Sequence, residues 1–314
     1  MKTKALVSSP DYPTNVPFGA YAFYHKGDFA GTGDSYIVNA EIKYDGSSTP
    51  ATWHADKKYY WPKDGGKLTF YAYSPYSISA VPAGATTSPV TCSVDKGVKI
   101  SDWDLKTNST VDVLVADVAK NKTANETGTY VGVPTVFRHK LTQIASFKVK
   151  TKEAYSDVTF TIKSISIKNA KYKGTYENEV WTAADDKTAY EWYKSTAASA
   201  TSYTISNSAA EVAIEPNSLP ADDNNSNKYL LVLPQKFTDG QQLEIVYNID
   251  NGTFDYDVTA TKDLKDITDG TTTPTATVWE KNKKVSYTIT IGIDEILWDP
   301  AVEDWDPISG TIEL

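Results

Sequence analysis

The residues best suited to chemistry in this sequence are its three histidines and its many carboxylates. His25, His54 and His139 lie far apart, and none belongs to an HxxxH or HxH pair of the kind that binds zinc. Acidic pairs such as Asp222-Asp223 and Glu303-Asp304 resemble the two carboxylates of a glycosidase, but 40 acidic residues make such pairs common by chance. We therefore expect no enzyme, no cofactor and no metal site, and a structural hydrogen-bonding role for His139.

Tryptophan rings offer a second kind of chemistry, because an exposed indole can stack on a sugar. Six tryptophans lie in or beside expected loops and strand ends, which keeps a glycan-binding interpretation open. The alternative is that these rings cover the ends and cores of β-sandwiches, since a few exposed aromatics do not make a clustered binding patch. The six are Trp53, Trp61, Trp103, Trp181, Trp192 and Trp279.

Composition excludes several classes of protein. A formal charge of −9 and a pI near 4.9 argue against a nucleic-acid partner, because phosphate binding requires a basic surface. The single cysteine, Cys92, cannot form an internal disulfide and is expected to be a small core residue. No apolar run is long enough for a membrane span, and the N-terminus has no signal-peptide stretch, so we expect any export signal to lie upstream.

The elements that must position these groups are predicted to be strands, because apolar residues alternate with a period of two along most of the chain. In the first half, the pattern predicts strands over Phe18–Tyr24, Leu68–Tyr73 and Val111–Ala116. Ser74-Pro75 should end the second of these strands. The chain is accordingly predicted to be all-β.

The second half shows the same pattern more clearly. Strands are predicted over Leu141–Val149, Tyr229–Leu233 and Val285–Ile291, and the second is apolar on both faces, as a strand covered on both sides should be. A shift in the phase of alternation predicts a β-bulge near Lys163-Ser164. Alternating residues on either side of Asn251-Gly252 predict a hairpin with a two-residue turn at that dipeptide.

The length of 314 residues favours two domains. The polar segment from Lys120 to Gly132 places the boundary near Val133. We therefore expect two tandem antiparallel β-sandwiches, formed by residues 1–132 and 133–295, followed by a C-terminal extension over residues 296–314.

The C-terminal extension contains a repeated motif, because Trp298-Asp299-Pro300 recurs as Trp305-Asp306-Pro307. Its even-numbered positions are largely apolar, so it could be an extended strand that fills a groove in a partner. An edge strand paired within the same chain explains the pattern equally well. The residues that would contact a partner groove are Ile296, Trp298, Val302, Trp305, Ile308, Ile312 and Leu314.

An ordered set of motifs resembles the fimbrillin-like proteins of Bacteroidetes, also called type V pilins, over nearly the whole chain. Each motif alone is weak, and the resemblance depends on their order. The motifs are Tyr60-Trp61-Pro62, the segment Leu68 to Pro75, Asp112 to Ala116, Phe137 to Thr142, Leu231 to Gln235, and the segment from Trp298 to Trp305.

The resemblance implies transthyretin-like sandwiches, export as an outer-membrane lipoprotein and assembly with other pilin subunits into surface fimbriae. In this family a trypsin-like protease removes the first strand after a basic residue, and a donor strand from a neighbouring subunit fills the groove. Lys4 and Ala5 match such a site, with lysine where arginine is commoner, and residues 296–314 would be the donor. A tip adhesin or glycan-binding protein of the same family, with a host or glycan receptor, is the alternative.

Overall fold

Strands account for nearly all the regular structure of the chain, as the sequence predicts. The structure is a computed structural model that describes residues 12–47, 52–124, 132–177, 192, 201–205, 212–213, 230–267, 278–293 and 296–304. Within these ranges there is no α-helix, and two short 3₁₀ turns occupy Tyr76–Ser79 and Leu264–Asp266.

None of the described residues forms a helix with the length and apolarity needed to cross a membrane.

The chain forms two compact units, and neither unit is a continuous stretch of sequence. The first comprises residues 1–141 and 174–195, and the second comprises residues 142–173 and 196–314. The strands of the first half are β1 Phe18–His25, β2 Asp34–Asp45, β3 Thr52–Ala55, β4 Lys67–Ser74, β5 Val90–Ser93, β6 Gly97–Asp104, β7 Leu114–Ala116, β8 Ala119–Lys122 and β9 Phe137–His139. They are followed by β10 Thr142–Thr151, β11 Thr159–Ala170, β12 Lys173–Glu177, β13 Thr201–Ile205, β14 Val212–Ala213, β15 Leu230–Val232, β16 Gln235–Lys236, β17 Gln242–Asp250, β18 Asp255–Asp263, β19 Val278–Trp279, β20 Lys283–Ile291 and β21 Ile296–Asp304.

The first unit contains a seven-stranded sheet and a three-stranded sheet. The larger sheet has the order β3-β2-β1-β4-β7-β9, with β8 also paired to β4, and the smaller has the order β12-β6-β5. The Tyr21 and Tyr71 hydroxyls donate to the carbonyl oxygens of Val90 and Val94, at 3.4 and 2.8 Å. Odd-numbered residues of β1 and β4 therefore face the smaller sheet, and even-numbered residues face away from it.

The strands predicted in the first half exist, with one boundary in error. β1 and β4 are confirmed, and β4 ends at Ser74 before the proline. The predicted strand over Val111–Ala116 begins three residues too early, because only Leu114–Ala116 are in strand β7. The Val111 amide instead donates to the carbonyl of Asn108 at 3.1 Å, so a turn occupies the start of the predicted segment.

The second unit contains a four-stranded sheet in the order β15-β10-β20-β21 and a five-stranded sheet in the order β13-β11-β17-β18, with β14 also on β11. The described pairings are antiparallel except that β10 and β20 run parallel, from Gln143 opposite Lys284 to Thr151 opposite Ile291. The parallel pair is possible because about 130 residues separate the two strands, which is ample for a crossover connection.

Two local predictions in the second unit are confirmed. The β11–β17 register shifts between Ile162 and Ser164, where the change of phase predicts a bulge. Strand β15 is covered on both sides, since Leu231 and Val232 are fully buried and Leu233 nearly so.

The hairpin between β17 and β18 is confirmed, but its turn lies one residue later than predicted. Asp250 is opposite Asp255, and the Asn251 amide donates to the carbonyl of Phe254 at 3.2 Å, so Gly252 and Thr253 form the turn. Asn251 instead caps the turn, because its Oδ1 accepts the Thr253 and Phe254 amides at 3.0 and 2.7 Å. Gly252 has a φ of +77°, which a side chain would disfavour.

Candidate functional site

The sequence-predicted donor residues fall into two groups. Ile296, Trp298 and Val302 lie in β21, the last strand of the four-stranded sheet. The remaining predicted site residues, Trp305, Ile308, Ile312, Leu314, Lys4 and Ala5, lie outside the described residues.

Strand β21 is paired within the chain along its whole length. It runs antiparallel to β20, from Ile291 opposite Ile296 to Lys283 opposite Asp304. In the described sheet β20 is its one neighbour, so β21 is an edge strand and Pro300 is compatible with it. Residues 296–304 therefore form an edge strand paired within the chain, and a donor role for residues 296–314 stays a prediction.

In the first unit, the face of the large sheet that points away from the small sheet has a floor of alanines. Ala20 of β1 is opposite both Ala40 of β2 and Ala72 of β4. In the β4–β7 pairing, Tyr73 is opposite Val115 and Ser74 is opposite Leu114. Continuing this antiparallel register by one residue places Ala72 beside Ala116. Four adjacent strands thus contribute an alanine to one row across the sheet, and small side chains leave room above it.

Aromatic rings lie over this alanine row. We call Tyr12, Phe18, Tyr44, Trp53 and Phe137 the aromatic platform. Phe137 belongs to β9, three strands from β1, yet its ring centroid is 5.3 Å from that of Phe18. Strands are about 4.8 Å apart, so the Phe137 side chain must extend over the alanines to reach Phe18.

Tyr12 connects the members of the aromatic platform. Its ring centroid lies 5.7 Å from Phe18, 5.2 Å from Trp53 and 4.8 Å from Phe137. Its hydroxyl is 2.5 Å from the Ser74 hydroxyl, and burial raises the pKa of Tyr12 to about 12, so the phenol stays protonated at neutral pH. The edge-to-face contacts with Phe18 and Trp53 each add about 0.5–1.5 kcal/mol to the stabilisation from burying the rings.

The aromatic platform is not a closed core. Phe18 is buried, whereas Tyr12, Trp53 and Phe137 are only partly buried and Tyr44 is 38% exposed. Aromatic rings left partly exposed over an apolar floor are typical of a surface that another protein covers. The arrangement is suited to contact with an apolar segment and offers no nucleophile or acid–base pair.

His25 and His139 of the first unit form structural hydrogen bonds and do not share a site. His139 Nδ1 lies 2.6 Å from Asp112 Oδ2, and both side chains are buried. Burial raises the pKa of the Asp112 carboxyl, and its hydrogen bond to His139 opposes that rise. His25 Nε2 lies 3.0 Å from the Thr69 hydroxyl. Among the described residues, no group of three or more His, Cys, Asp or Glu could hold a metal ion.

Three of the described tryptophans are core residues and cannot contribute to a sugar-stacking surface. Trp103, Trp192 and Trp279 are 6%, 4% and 1% exposed. Trp53 belongs to the aromatic platform, and Trp61 packs edge-to-face on Phe70 with ring centroids 5.8 Å apart. Trp181 lies outside the described residues.

Comparison with known proteins places the chain in a family. The model of the family described as fimbrillin-like matches residues 3–305. The chain belongs to the fimbrillin-like family. The family is one of fimbrial, cell-surface proteins and not of enzymes.

Individual relatives agree with this assignment. The chain is 30% identical over 172 residues to fimbrium subunit Fim1C of Phocaeicola vulgatus, and the alignment covers 46% of this chain and 44% of that protein. The chain thus matches under half the length of this relative.

Solved structures share the fold. A fimbrial protein from Bacteroides vulgatus superposes with a TM-score of 0.55 and 18% identity, covering 92% of each chain. A candidate cell adhesion protein from Parabacteroides distasonis superposes with a TM-score of 0.53 and 12% identity, covering 99% of this chain and 95% of that one.

The sequence resemblance to fimbrillin-like proteins is therefore confirmed. What sequence reasoning missed is the aromatic platform and its alanine floor. Alternation places Phe18, Ala20 and Ala22 on one face of a strand, but no sequence pattern indicates that Ala40, Ala72 and Ala116 continue the row.

Proposed function

We propose that this fimbrillin-like protein is a structural subunit of cell-surface fimbriae that polymerises by protease-triggered exchange of a donor strand. In this proposal the protein is exported as an outer-membrane lipoprotein and is cut between Lys4 and Ala5 by a trypsin-like protease. Its partners are other fimbrial subunits. The observation that supports the proposal most strongly is the partly exposed aromatic platform on the first unit, which is suited to contact with an apolar segment.

The donor in this proposal is the C-terminal extension, residues 296–314. Nine register pairs hold residues 296–304 on β20, so β21 would anchor the donor to its own subunit. The following residues, with Trp305, Ile308, Ile312 and Leu314, would reach the neighbouring subunit. In an extended segment, these apolar side chains would insert into a groove of the neighbouring subunit. Hydrogen bonds between the two backbones would provide affinity.

The acceptor in this proposal includes the aromatic platform of the neighbouring first unit. Apolar tail residues would cover Tyr44 and Trp53 and remove their exposed ring surface from water. Burial of apolar surface stabilises an interface by about 25 cal/mol per Å². Aromatic residues near the centre of an interface commonly account for much of its affinity.

Deletion of residues 306–314 tests the donor. Cells expressing this variant should lack the fibres that immunogold electron microscopy detects with the wild-type protein. The purified variant should keep the wild-type circular dichroism spectrum and melting temperature, because every described strand is retained. Fibres of normal length on the variant cells would contradict the proposal.

Tyr44→Glu tests the acceptor, because it places a charge on the aromatic platform. Tyr256 in the second unit is a matched control, since Tyr44 is 38% exposed and Tyr256 40% exposed. We expect Tyr44→Glu to shorten or abolish fibres and Tyr256→Glu to leave them unchanged. Equal effects of the two substitutions would remove the aromatic platform from the proposal.

The maturation site has its own test. N-terminal sequencing of protein sheared from the cell surface should give Ala5 as the first residue. A Lys4→Ala variant should stay uncut and unassembled. A different first residue in the wild-type fibre would contradict processing at Lys4.

A further inference from the structure

An open groove of about 370 Å³ lies on the first unit, at the end of β1 remote from the aromatic platform. It is lined by Tyr24, Asp34, Ser35, Tyr36 and the loop over residues 62–64. Tyr24 and Asp34 are directly opposite in the β1–β2 pairing. Tyr24 is six positions after Phe18 along β1, which is about 20 Å, so the groove and the aromatic platform are separate surfaces.

The Tyr24 ring is held in place before any ligand arrives. Its hydroxyl donates to Asp64 Oδ2 at 2.6 Å, and Asp64 Oδ1 accepts the Gly66 amide at 3.1 Å. The ring also lies against Gly66, where an added Cβ would be 2.0 Å from Tyr24 Cε2. The position of Tyr24 thus depends on a glycine at residue 66.

The second ring of the groove is fixed in the same way, because the Tyr36 hydroxyl donates to the carbonyl oxygen of Tyr60. Rings that are already ordered lose little conformational entropy when a ligand binds. Both phenol oxygens keep lone pairs that can accept a further hydrogen bond.

Two charged side chains at the groove have no partner among the described residues. Asp34 and Lys63 are exposed, and neither forms a hydrogen bond or ion pair through its side chain. The Tyr24 hydroxyl and the Gly66 amide hold the pKa of Asp64 below its ordinary value, so this second carboxylate is ionised at neutral pH. The groove therefore offers carboxylate acceptors, an ammonium donor and aromatic rings within one small volume.

We propose that this groove binds a neutral hexopyranose ring of a glycan. The negative face of a tyrosine ring attracts the C–H groups of a sugar, and carboxylates accept hydrogen bonds from sugar hydroxyls. Two carboxylates against one ammonium, on a chain of net charge −9, disfavour sialylated or sulfated glycans. A volume near the lower limit for small-molecule sites suits one or two sugar rings.

This proposal goes beyond fibre assembly and does not depend on it. The groove lies about 20 Å from the aromatic platform and is formed by residues of one chain. Binding is therefore expected for the unassembled chain. Failure of either proposal would leave the other standing.

Saturation-transfer NMR on the full chain tests the groove. The probes are neutral monosaccharides and disaccharides of glucose, galactose, mannose and N-acetylglucosamine, with glucuronate and sialic acid as anionic comparators. We expect saturation of at least one neutral sugar. Asp34→Asn should lower the affinity roughly ten-fold or more, because it removes a charge-assisted hydrogen bond. Tyr36→Ala should also lower it, provided that its melting temperature shows a folded protein.

Matched controls lie in the second unit. Asp239→Asn and Tyr256→Ala remove an exposed carboxylate and an exposed aromatic ring outside the groove, and they should leave the affinity unchanged. The proposal is overturned if no neutral sugar is saturated, if only the anionic sugars are saturated, or if Asp34→Asn binds as tightly as the wild type.

Discussion

Gly19 is the position where a single methyl group should destabilise the first unit most directly. Gly19 is opposite Tyr73 in the β1–β4 pairing, and the Tyr73 ring lies across the glycine. An added Cβ would be 2.2 Å from Tyr73 Cε1, which is 1.2 Å short of the 3.4 Å at which ordinary contact begins. Tyr73 is fully buried and its hydroxyl donates to Asn39 Oδ1 at 2.5 Å, so the ring cannot move without losing that bond.

The expected cost of Gly19→Ala follows from these contacts. Overpacking a well-filled core costs about 1–3 kcal/mol, and loss of a buried hydrogen bond adds about 1 kcal/mol. The lower entropy of an unfolded chain with alanine returns about 0.4–1 kcal/mol. We therefore expect the free energy of unfolding to fall by about 1–3.5 kcal/mol, measured by urea denaturation, with faster hydrogen exchange in β1 and β4.

Two further variants make this prediction specific to the Tyr73 ring. Gly132→Ala is the control, because nothing lies within 4 Å of its added Cβ, and it should change stability by less than about 0.5 kcal/mol. In a Tyr73→Leu background the clash disappears, so Gly19→Ala should cost little there, with a coupling energy of about 2 kcal/mol. An equal cost of Gly19→Ala in both backgrounds would refute the reasoning.

Three other predictions concern single contacts. Gly66→Ala should displace the Tyr24 ring and raise the pKa of the Asp64 carboxyl toward its ordinary value. Titration followed by ¹³C NMR of the carboxyl groups measures this pKa. An unchanged pKa would mean that the ring has not moved. Burial raises the pKa of Asp112, so its contribution to stability is present below about pH 4 and is lost as the pH rises through the raised pKa. The stability advantage of the wild type over Asp112→Asn should therefore fall as the pH rises above about 4, and a constant advantage would contradict this. Asn251→Ala should cost about 0.5–1.5 kcal/mol in urea denaturation, because two amides of the β17–β18 turn lose their acceptor, and no loss would show that water replaces the side chain.

The features that the sequence could predict are those that depend on neighbouring residues. The bulge at Ile162–Ser164 appears as a shift in the phase of alternation, and a strand covered on both faces appears as the apolar run Leu231–Leu233. The position of the hairpin turn was wrong by one residue, because Asn251 was expected within the turn and instead caps it. An asparagine is compatible with either position, so local sequence could not distinguish them.

The features that the sequence could not predict depend on residues far apart in the chain. The alanine floor combines Ala40, Ala20, Ala72 and Ala116, and only the strand order shows that they are neighbours. The parallel pairing of β10 with β20 likewise depends on the long connection between them, and the sequence of neither strand indicates it. The donor side chains Trp305 to Leu314 lie beyond the described residues, so their role stays a prediction.

The first unit takes its third small-sheet strand, β12, from a part of the chain that lies beyond two strands of the second unit. An expression product that ends at residue 132 or 141 would therefore lack a strand and leave one side of β6 without its partner. Conversely, a protease that cuts once near residue 141 would not release a separate first unit, because β12 of the other fragment would still be hydrogen-bonded in its sheet. Attempts to isolate this half of the protein should include residues through 195, or supply β12 as a separate peptide.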